Sequence, residues 1–208
     1  MTTQTQSAKE LMHIRKSVRK YNEGVTIPKE VLQQLIQDAI SAPSSSNMQP
    51  WRFLVIQDQE VKKELLPIAN NQEQVEKCSA IIAVLGDIEM YERSEEIYNA
   101  NVEKGVMSQE VADMMIANSR KLYSSLPQEV IKNIIHFDAG LVSMQMMLLA
   151  KELGYDTVPM GGFNKVEFAK YFNLPANEVP ILLIAIGEAA VPAHGSTRIP
   201  AEKITRFI

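Results

Sequence analysis

The stretch Phe137-Asp138-Ala139-Gly140-Leu141-Val142-Ser143-Met144-Gln145-Met146-Met147-Leu148-Leu149-Ala150 governs how the rest of the chain is read. It lies inside a predicted helix over 129–153 that Gly154 stops, glycine being the residue that most readily takes the left-handed turn after a helix. The run is apolar nearly all round. A helix apolar on every side is buried in the centre of something. In a chain of 208 residues, a helix shared between two subunits is one good explanation. Asp138 is the odd residue in it, suited to capping a neighbouring backbone or to pairing with an arginine.

Reading outward toward the C-terminus, 155–160 is a short predicted strand and 165–172 a helix. Val179 to Gly187, VPILLIAIG, is the strongest strand pattern in the chain. The tail, 188–208, is weakly patterned. Reading toward the N-terminus, 89–124 is polar and helical, a segment expected to lie over a surface rather than inside a core. Ala80 to Gly86, AIIAVLG, is a short apolar run rich in β-formers and reads as a buried strand. Residues 61–69 read as a helix and 51–57 as a strand. The segment 44–50 is almost wholly polar or turn-forming and reads as a loop. Pro28 opens a helix in the favoured first-turn position. Its apolar stripe, Val31, Leu32, Leu35, Ile36, Ala39 and Ile40, has helical period, and Pro43 ends it. A short helix over 7–14 precedes a polar stretch, 15–21. Few strands, long helices and buried strand patterns predict one mixed domain, with helices on both faces of a central sheet.

Composition excludes several classes. The net charge is −4, with no basic block, which argues against nucleic acid and against an anionic membrane surface. The longest charge-free apolar run, 139–150, falls short of the about 20 residues a bilayer span needs. The N-terminus has no apolar core of a secretory signal. Cys78 is the single cysteine, so no internal disulfide can form and a reducing, cytoplasmic setting is expected.

Four constellations bear on chemistry. In Arg15-Lys16-Ser17-Val18-Arg19-Lys20-Tyr21 an extended backbone would turn Arg15, Ser17 and Arg19 to one side. Two guanidinium forks and a hydroxyl suit a phosphate, although spacing alone slightly favours a solvated basic strand. In Ser41-Ala42-Pro43-Ser44-Ser45-Ser46-Asn47-Met48-Gln49-Pro50-Trp51, hydroxyl and amide groups sit between two stiffening prolines. A ligand-lining loop and a plain helix-to-strand connection are about equally good readings of it. Pro159-Met160-Gly161-Gly162-Phe163 would let backbone N–H groups approach a flat ligand, because glycine lacks a Cβ. A simple glycine turn explains it more economically. Arg198, in the tail, reads as a surface arginine. No dinucleotide-binding or nucleophile-elbow motif occurs, and the three histidines lack metal-ligand spacing. Cys78, Trp51, Met144, Met146 and Met147 read as core residues.

Taken together and in this order, these segments are specific. The chain resembles the nitroreductase family of flavoproteins through RKSVRKY at 15–21, SAPSSSNMQPWRF at 41–53, PMGGF at 159–163 and STRIP at 196–200. The resemblance spans nearly the whole chain. It implies an α+β nitroreductase-like fold, domain-swapped as a homodimer, with two FMN molecules at the subunit interface. It also implies one domain over 1–208, in which 89–124 is a variable helical segment over the active site and 188–208 a C-terminal extension. By motif, Arg15 and Arg198 would hold the FMN phosphate. Ser17, beside Lys16, would support the phosphate or ribityl chain, and Arg19 would reach the ribityl chain and the pyrimidine edge. Pro43, Ser44, Ser45 and Asn47, with Gln49, would come from the partner chain and line the flavin. Asn71 would face the pyrimidine edge, and Pro159, Met160, Gly161 and Gly162 would run beside N5 and O4. Gly161 stands where many members carry glutamate, and Gln74 and Ser196 where some carry lysine.

The resemblance further implies ping-pong transfer from NADH or NADPH, through FMN, to nitroaromatic, quinone or similar small-molecule acceptors. No side chain is needed as a covalent catalyst, and no nucleic-acid or membrane partner is implied. Reductive dehalogenation, reduction of an activated alkene and an FMN-holding redox sensor are the alternative readings.

Overall fold

The structure is a computed structural model and describes residues 7–208. Helix α1 (Ala8–Ile14) begins at a capping box, in which Ser7 and Glu10 satisfy each other's backbone N–H groups. Helix α2 (Lys29–Ala39) starts one residue after Pro28, which stands at the cap rather than in the first turn. A single 3-10 turn, Ser45–Asn47, interrupts the loop before strand β1 (Trp51–Ile56). Helix α3 (Gln59–Ile68) starts earlier than its apolar pattern, because the Asp58 carboxylate accepts from the N–H groups of Glu60 and Val61. The short helix α4 (Gln74–Lys77), too brief to show a periodic pattern, precedes strand β2 (Ala80–Asp87). Then come α5 (Ser94–Glu103), α6 (Gln109–Ser125), α7 (Gln128–Glu152), β3 (Asp156–Met160), α8 (Lys165–Tyr171) and β4 (Glu178–Gly187).

The four strands form one sheet in the order β1-β2-β4-β3, antiparallel at every pairing. The register runs Trp51 opposite Gly86, Ala80 opposite Ile186 and Thr157 opposite Ile186. Strand β2 is buried along its whole length. Its alternate side chains enter two separate cores, as the period of two in a strand requires. Ile82 and Val84 meet Leu35, Ile135, Val142 and Met146 of α2 and α7. Ile81, Ala83 and Leu85 meet Leu65, Val75 and Phe168 on the other face. The α+β class and helices on both faces of the sheet agree with the sequence reading.

Helix α7 packs closely over Gly86, so that a side chain there would have to displace the tips of Ile135 and, from β4, Ile181. A Cβ there would come within 2.7 Å of Ile135 Cδ1 and 2.8 Å of Ile181 Cδ1. Gly86→Ala is therefore expected to cost about 1–3 kcal/mol through overpacking. Urea unfolding at fixed protein concentration would measure it, and an unchanged midpoint would refute the close packing.

Three expectations need correction. First, 89–124 is helical, as read, but it also contributes to the core rather than only lying over a surface. It divides into a 3-10 turn, α5 and α6, with Gly105 in the left-handed region between the helices (φ 70°). Ala112, Ser119 and Tyr123 of α6 lie on one buried face at helical spacing, and Tyr98 of α5 is buried with them. The numerous charged residues occupy the outer faces and hid this stripe. Second, Met146 and Met147 are core residues but Met144 is 38% exposed, as is Phe137 at 66%. Helix α7 buries Ile135, Val142 and Met146 and leaves another apolar stripe uncovered by this chain. Third, α7 is by length and mean hydropathy apolar enough to cross a bilayer, which the run 139–150 understates. Its inner face nevertheless lies on the sheet, in the manner of a core helix. Trp51 and Cys78 are buried as expected, and burial pushes the Cys78 thiol up to about 11.

Candidate functional site

The polar stretch after α1 adds to the sheet edge. Ser17 bridges Thr157 of β3 in parallel, and the Val18 N–H donates to the Thr157 carbonyl at 3.1 Å. Val18 points into the core, so Arg15, Ser17 and Arg19 turn away from it. Further along, Tyr21 is anchored by its hydroxyl, which donates to the carbonyls of Val18 and Ala185. Burial drives the Tyr21 phenol well above its ordinary pKa, keeping it a neutral donor.

Arg15, Lys16, Ser17 and Arg19 line a cleft of about 500 Å³ whose opposite wall is His194, Gly195, Ser196 and Arg198 of the tail. About 180 residues of chain separate the two walls, so only the fold joins them. Arg198 is steadied by its own neighbours, donating to Ser196 Oγ at 2.9 Å and to the Thr197 carbonyl at 2.8 Å. Among the described residues, no ion pair includes Arg15, Lys16, Arg19 or Arg198. Arg15 Nε is buried and has no hydrogen-bond partner. A buried donor left in that condition costs free energy, and four cations without carboxylates repel one another. Both costs are relieved by a multiply charged anion with several acceptor oxygens. His13 and Met12 also line the cleft, and no sequence signal singled them out.

The glycine segment lies farther along β3, on the same sheet edge. The Gly162 carbonyl accepts from Asn70 Nδ2 and from Gln72 Nε2, each at 2.9 Å, and Gln74 Nε2 lies 3.2 Å from the Met160 sulfur. Asn70 and Gln72 were missed because they follow α3, far from the glycines in sequence. Asn71, between them, is exposed and left-handed (φ 54°). A Cβ on Gly161 would meet nothing within 4 Å. Packing within this chain therefore does not require a glycine at 161, whereas a flat ligand lying against the backbone would.

The third group of residues is elsewhere. Pro43, Ser44, Ser45 and Asn47 do not line the cationic cleft, and Gln49 instead borders an apolar groove beside Trp51, Phe53 and Ile97. The loop is tightly built: Ser44 Oγ accepts from the Gln49 N–H at 3.0 Å, and Met48 is fully buried beneath it. Asp138 acts as its anchor. Its carboxylate accepts from the Ser45 N–H at 3.0 Å and from Ser45 Oγ at 3.1 Å, so of the two roles considered for Asp138 it takes the backbone cap.

Burial raises the Asp138 carboxyl above its ordinary value, and the bonds from Ser45 oppose that shift. A raised folded-state pKa means the ionised group weighs against folding at neutral pH. The stabilising contribution is complete below about pH 4 and is lost as pH rises through the folded value. Wild type is thus expected to gain stability relative to Asp138→Asn as pH falls from 7 toward 4. Asp138→Ala, which strands the Ser45 donors, should cost about 1–3 kcal/mol at pH 7. Urea midpoints of the three proteins across that range test both statements; a gap independent of pH would show that Asp138 is not perturbed.

The sequence and the fold both have known counterparts. The nitroreductase family model matches residues 13–188. The chain is 44% identical over 200 residues to YdgI of Bacillus subtilis, assigned as an NAD(P)H nitroreductase, covering 95% of this chain and 96% of that one. It is 31% identical over 202 residues to the CLA biosynthesis enone reductase of Lactiplantibacillus plantarum, covering 96% and 93% of the two chains. The crystal structure of an Exiguobacterium sibiricum protein assigned as a nitroreductase, solved in complex with FMN, superposes with a TM-score of 0.93 at 43% identity over 100% of both chains. With the motifs, the sheet topology and the whole-length similarity in agreement, the chain belongs to the nitroreductase family.

Proposed function

We propose that this protein is an FMN-dependent oxidoreductase. It draws reducing equivalents from NADH or NADPH and passes them to nitroaromatic, quinone or similar acceptors by a ping-pong route. The observation that carries this reading is the cleft of Arg15, Ser17, Arg19 and Arg198, with its buried, unpartnered Arg15 Nε and no carboxylate in attendance. The chemistry of that donor set fits a phosphomonoester, and the open space at Gly161 fits a flat ring. FMN, when bound, supplies hydride acceptance and donation at its ring.

The chain's own residues bind and orient. Arg15 and Arg198 clamp the phosphate, while Lys16 adds charge and Ser17 a hydroxyl. Arg19 would serve the pyrimidine edge of a bound FMN, where a fixed cation would stabilise the negative charge of the reduced ring. Asn71 would add an amide there. The backbone of Pro159, Met160, Gly161 and Gly162 offers close approach to the ring, with the Gly162 carbonyl already engaged by Asn70 and Gln72 and so held in place. No side chain need form a covalent bond. Helices α5 and α6, over 89–124, cover the site, and 1–208 acts as one functional unit.

The working form is a domain-swapped homodimer, in which Pro43, Ser44, Ser45, Asn47 and Gln49 of one chain line the flavin of the other. Support comes from the uncovered stripe on α7, Val130, Phe137 and Met144, and from exposed Ile199, Ile204 and Phe207 in the tail. Fully burying an exposed side chain of this kind is worth about 1.5–3 kcal/mol, and less for the partly covered Val130 and Met144; a second copy is the economical cover. Its elution in gel filtration checks this.

The purified protein is expected to be yellow and to bleach on anaerobic addition of NADH or NADPH. A colourless protein that takes up no added FMN would refute the proposal. Bound flavin without pyridine-nucleotide oxidation would leave a redox sensor instead. Similarity to an enone reductase favours one second reading, reduction of activated alkenes. Steady-state rates with nitroaromatic, quinone and enone acceptors, side by side, separate the two.

A further inference from the structure

The loop between α2 and β1 holds an uncommon backbone. Ser46 (φ 49°), Asn47 (φ 56°) and Gln49 (φ 46°) all lie in the left-handed region, and none is glycine. Such a conformation persists only where the surroundings over-determine it. At Ser46, two buried tyrosines do so. The Tyr98 hydroxyl of α5 donates to the Ser46 carbonyl at 2.8 Å, with Ser119 Oγ 3.3 Å away. The Tyr123 hydroxyl of α6 donates to Ser46 Oγ at 2.8 Å. Tyr98 is 2% and Tyr123 5% exposed. Phenylalanine would fill the same space, so packing does not demand either hydroxyl. What the hydroxyls add is a grip on Ser46, opposite the grip of Asp138 on Ser45.

We infer that Tyr98 and Tyr123 are positioning residues of the redox site: through Ser46 they set the shape of the loop that lines the flavin of the other subunit. The inference rests on the proposed dimeric flavin site and adds a role for α5 and α6 beyond covering it. A change in these helices then alters hydride transfer in a site built largely by the partner chain.

The test uses the holoenzyme and the variants Tyr98→Phe, Tyr123→Phe, their double, and Ser46→Ala, the last reaching the same contact without touching a helix. Each is followed for cooperative melting, flavin absorption maximum, FMN retention and anaerobic flavin reduction by NADH or NADPH in stopped flow. The double variant should melt cooperatively, show a shifted flavin band and reduce its flavin roughly tenfold more slowly, since small misplacements of reacting groups have effects of that order or larger. The KM for the nucleotide should change less than kcat. Ser46→Ala and Tyr123→Phe remove two ends of one hydrogen bond, so combining them should add little to either alone. A double variant with wild-type spectrum and reduction rate overturns the inference and leaves the flavin enzyme standing. A wild-type protein that binds no FMN removes both.

A tagged heterodimer, with Arg15→Ala on one chain and the double tyrosine change on the other, decides the direction of action. Action across the interface puts both defects in one site and spares the other. Because Arg15→Ala strips FMN from its own site, the flavin that the heterodimer retains, about one per dimer, should then reduce at the wild-type rate. Absence of any wild-type phase overturns action across the interface.

Discussion

Arg15→Ala is expected to weaken FMN binding roughly 10- to 100-fold, because a charge-assisted hydrogen bond is worth about 1.5–3 kcal/mol and each 1.4 kcal/mol is a factor of ten. Arg15 should matter most among the cleft cations. Its Nε is buried, whereas Arg19 and Arg198 are exposed and their attraction is screened by salt. Arg15→Lys should recover only part of the loss, since an ammonium cannot reproduce a two-pronged guanidinium contact. Titrating apoprotein with FMN and with riboflavin separates the causes. If Arg15 holds the phosphate, the variant loses affinity for FMN and little for riboflavin, which lacks that group. Equal losses for both, or full flavin occupancy through dilution and gel filtration, would remove Arg15 from the phosphate.

The largest expected loss of stability comes from Asp87→Ala, about 3–5 kcal/mol, the usual consequence of stripping one partner from a buried ion pair. Asp87, at the end of β2, is 5% exposed. One carboxylate oxygen accepts from Arg52 at 2.7 Å, and the other from Asn177 Nδ2 at 2.8 Å and the Glu89 N–H at 2.9 Å. It thereby ties together β1, the turn into α5 and the start of β4. Arg52 in turn donates to the carbonyls of Gln49 and Trp51, so the variant should also loosen the loop before β1. Asp87→Asn, which keeps an acceptor but not the charge, should lie between. Urea unfolding at fixed protein concentration is the measurement, because a dimer's stability depends on concentration. A loss under about 1 kcal/mol would place the pair with surface salt bridges that contribute little.

Both residues show what kind of information a linear reading carries. Arg15 stood out by residue type and by an alternating pattern that the sheet edge preserves. Asp87 carried no pattern, because its partners are 35, 90 and 2 residues away. The same division holds across the molecule. The strands at 51–57, 80–86 and 179–187 and the helix at 129–153 were legible within two residues, since burial imposes a period on each. The helical character of 89–124 was legible but its buried face was not, because a stripe as sparse as Ala112, Ser119 and Tyr123 is masked by the charges around it.

By itself, the sequence determined a mixed α and β domain, the order and extent of the principal elements, and the grouping of cations at 15–19. Periodicity and residue chemistry are local properties, and they survive reading in one dimension. Tertiary structure alone decided that Arg198 closes the cleft opposite Arg15, that Asn70 and Gln72 hold Gly162, and that Asp138, Tyr98 and Tyr123 grip one loop from several sides. Those contacts join residues tens to nearly two hundred positions apart. Sheet register and the seating of α7 on Gly86 set their distances, and no spacing in the chain encodes either.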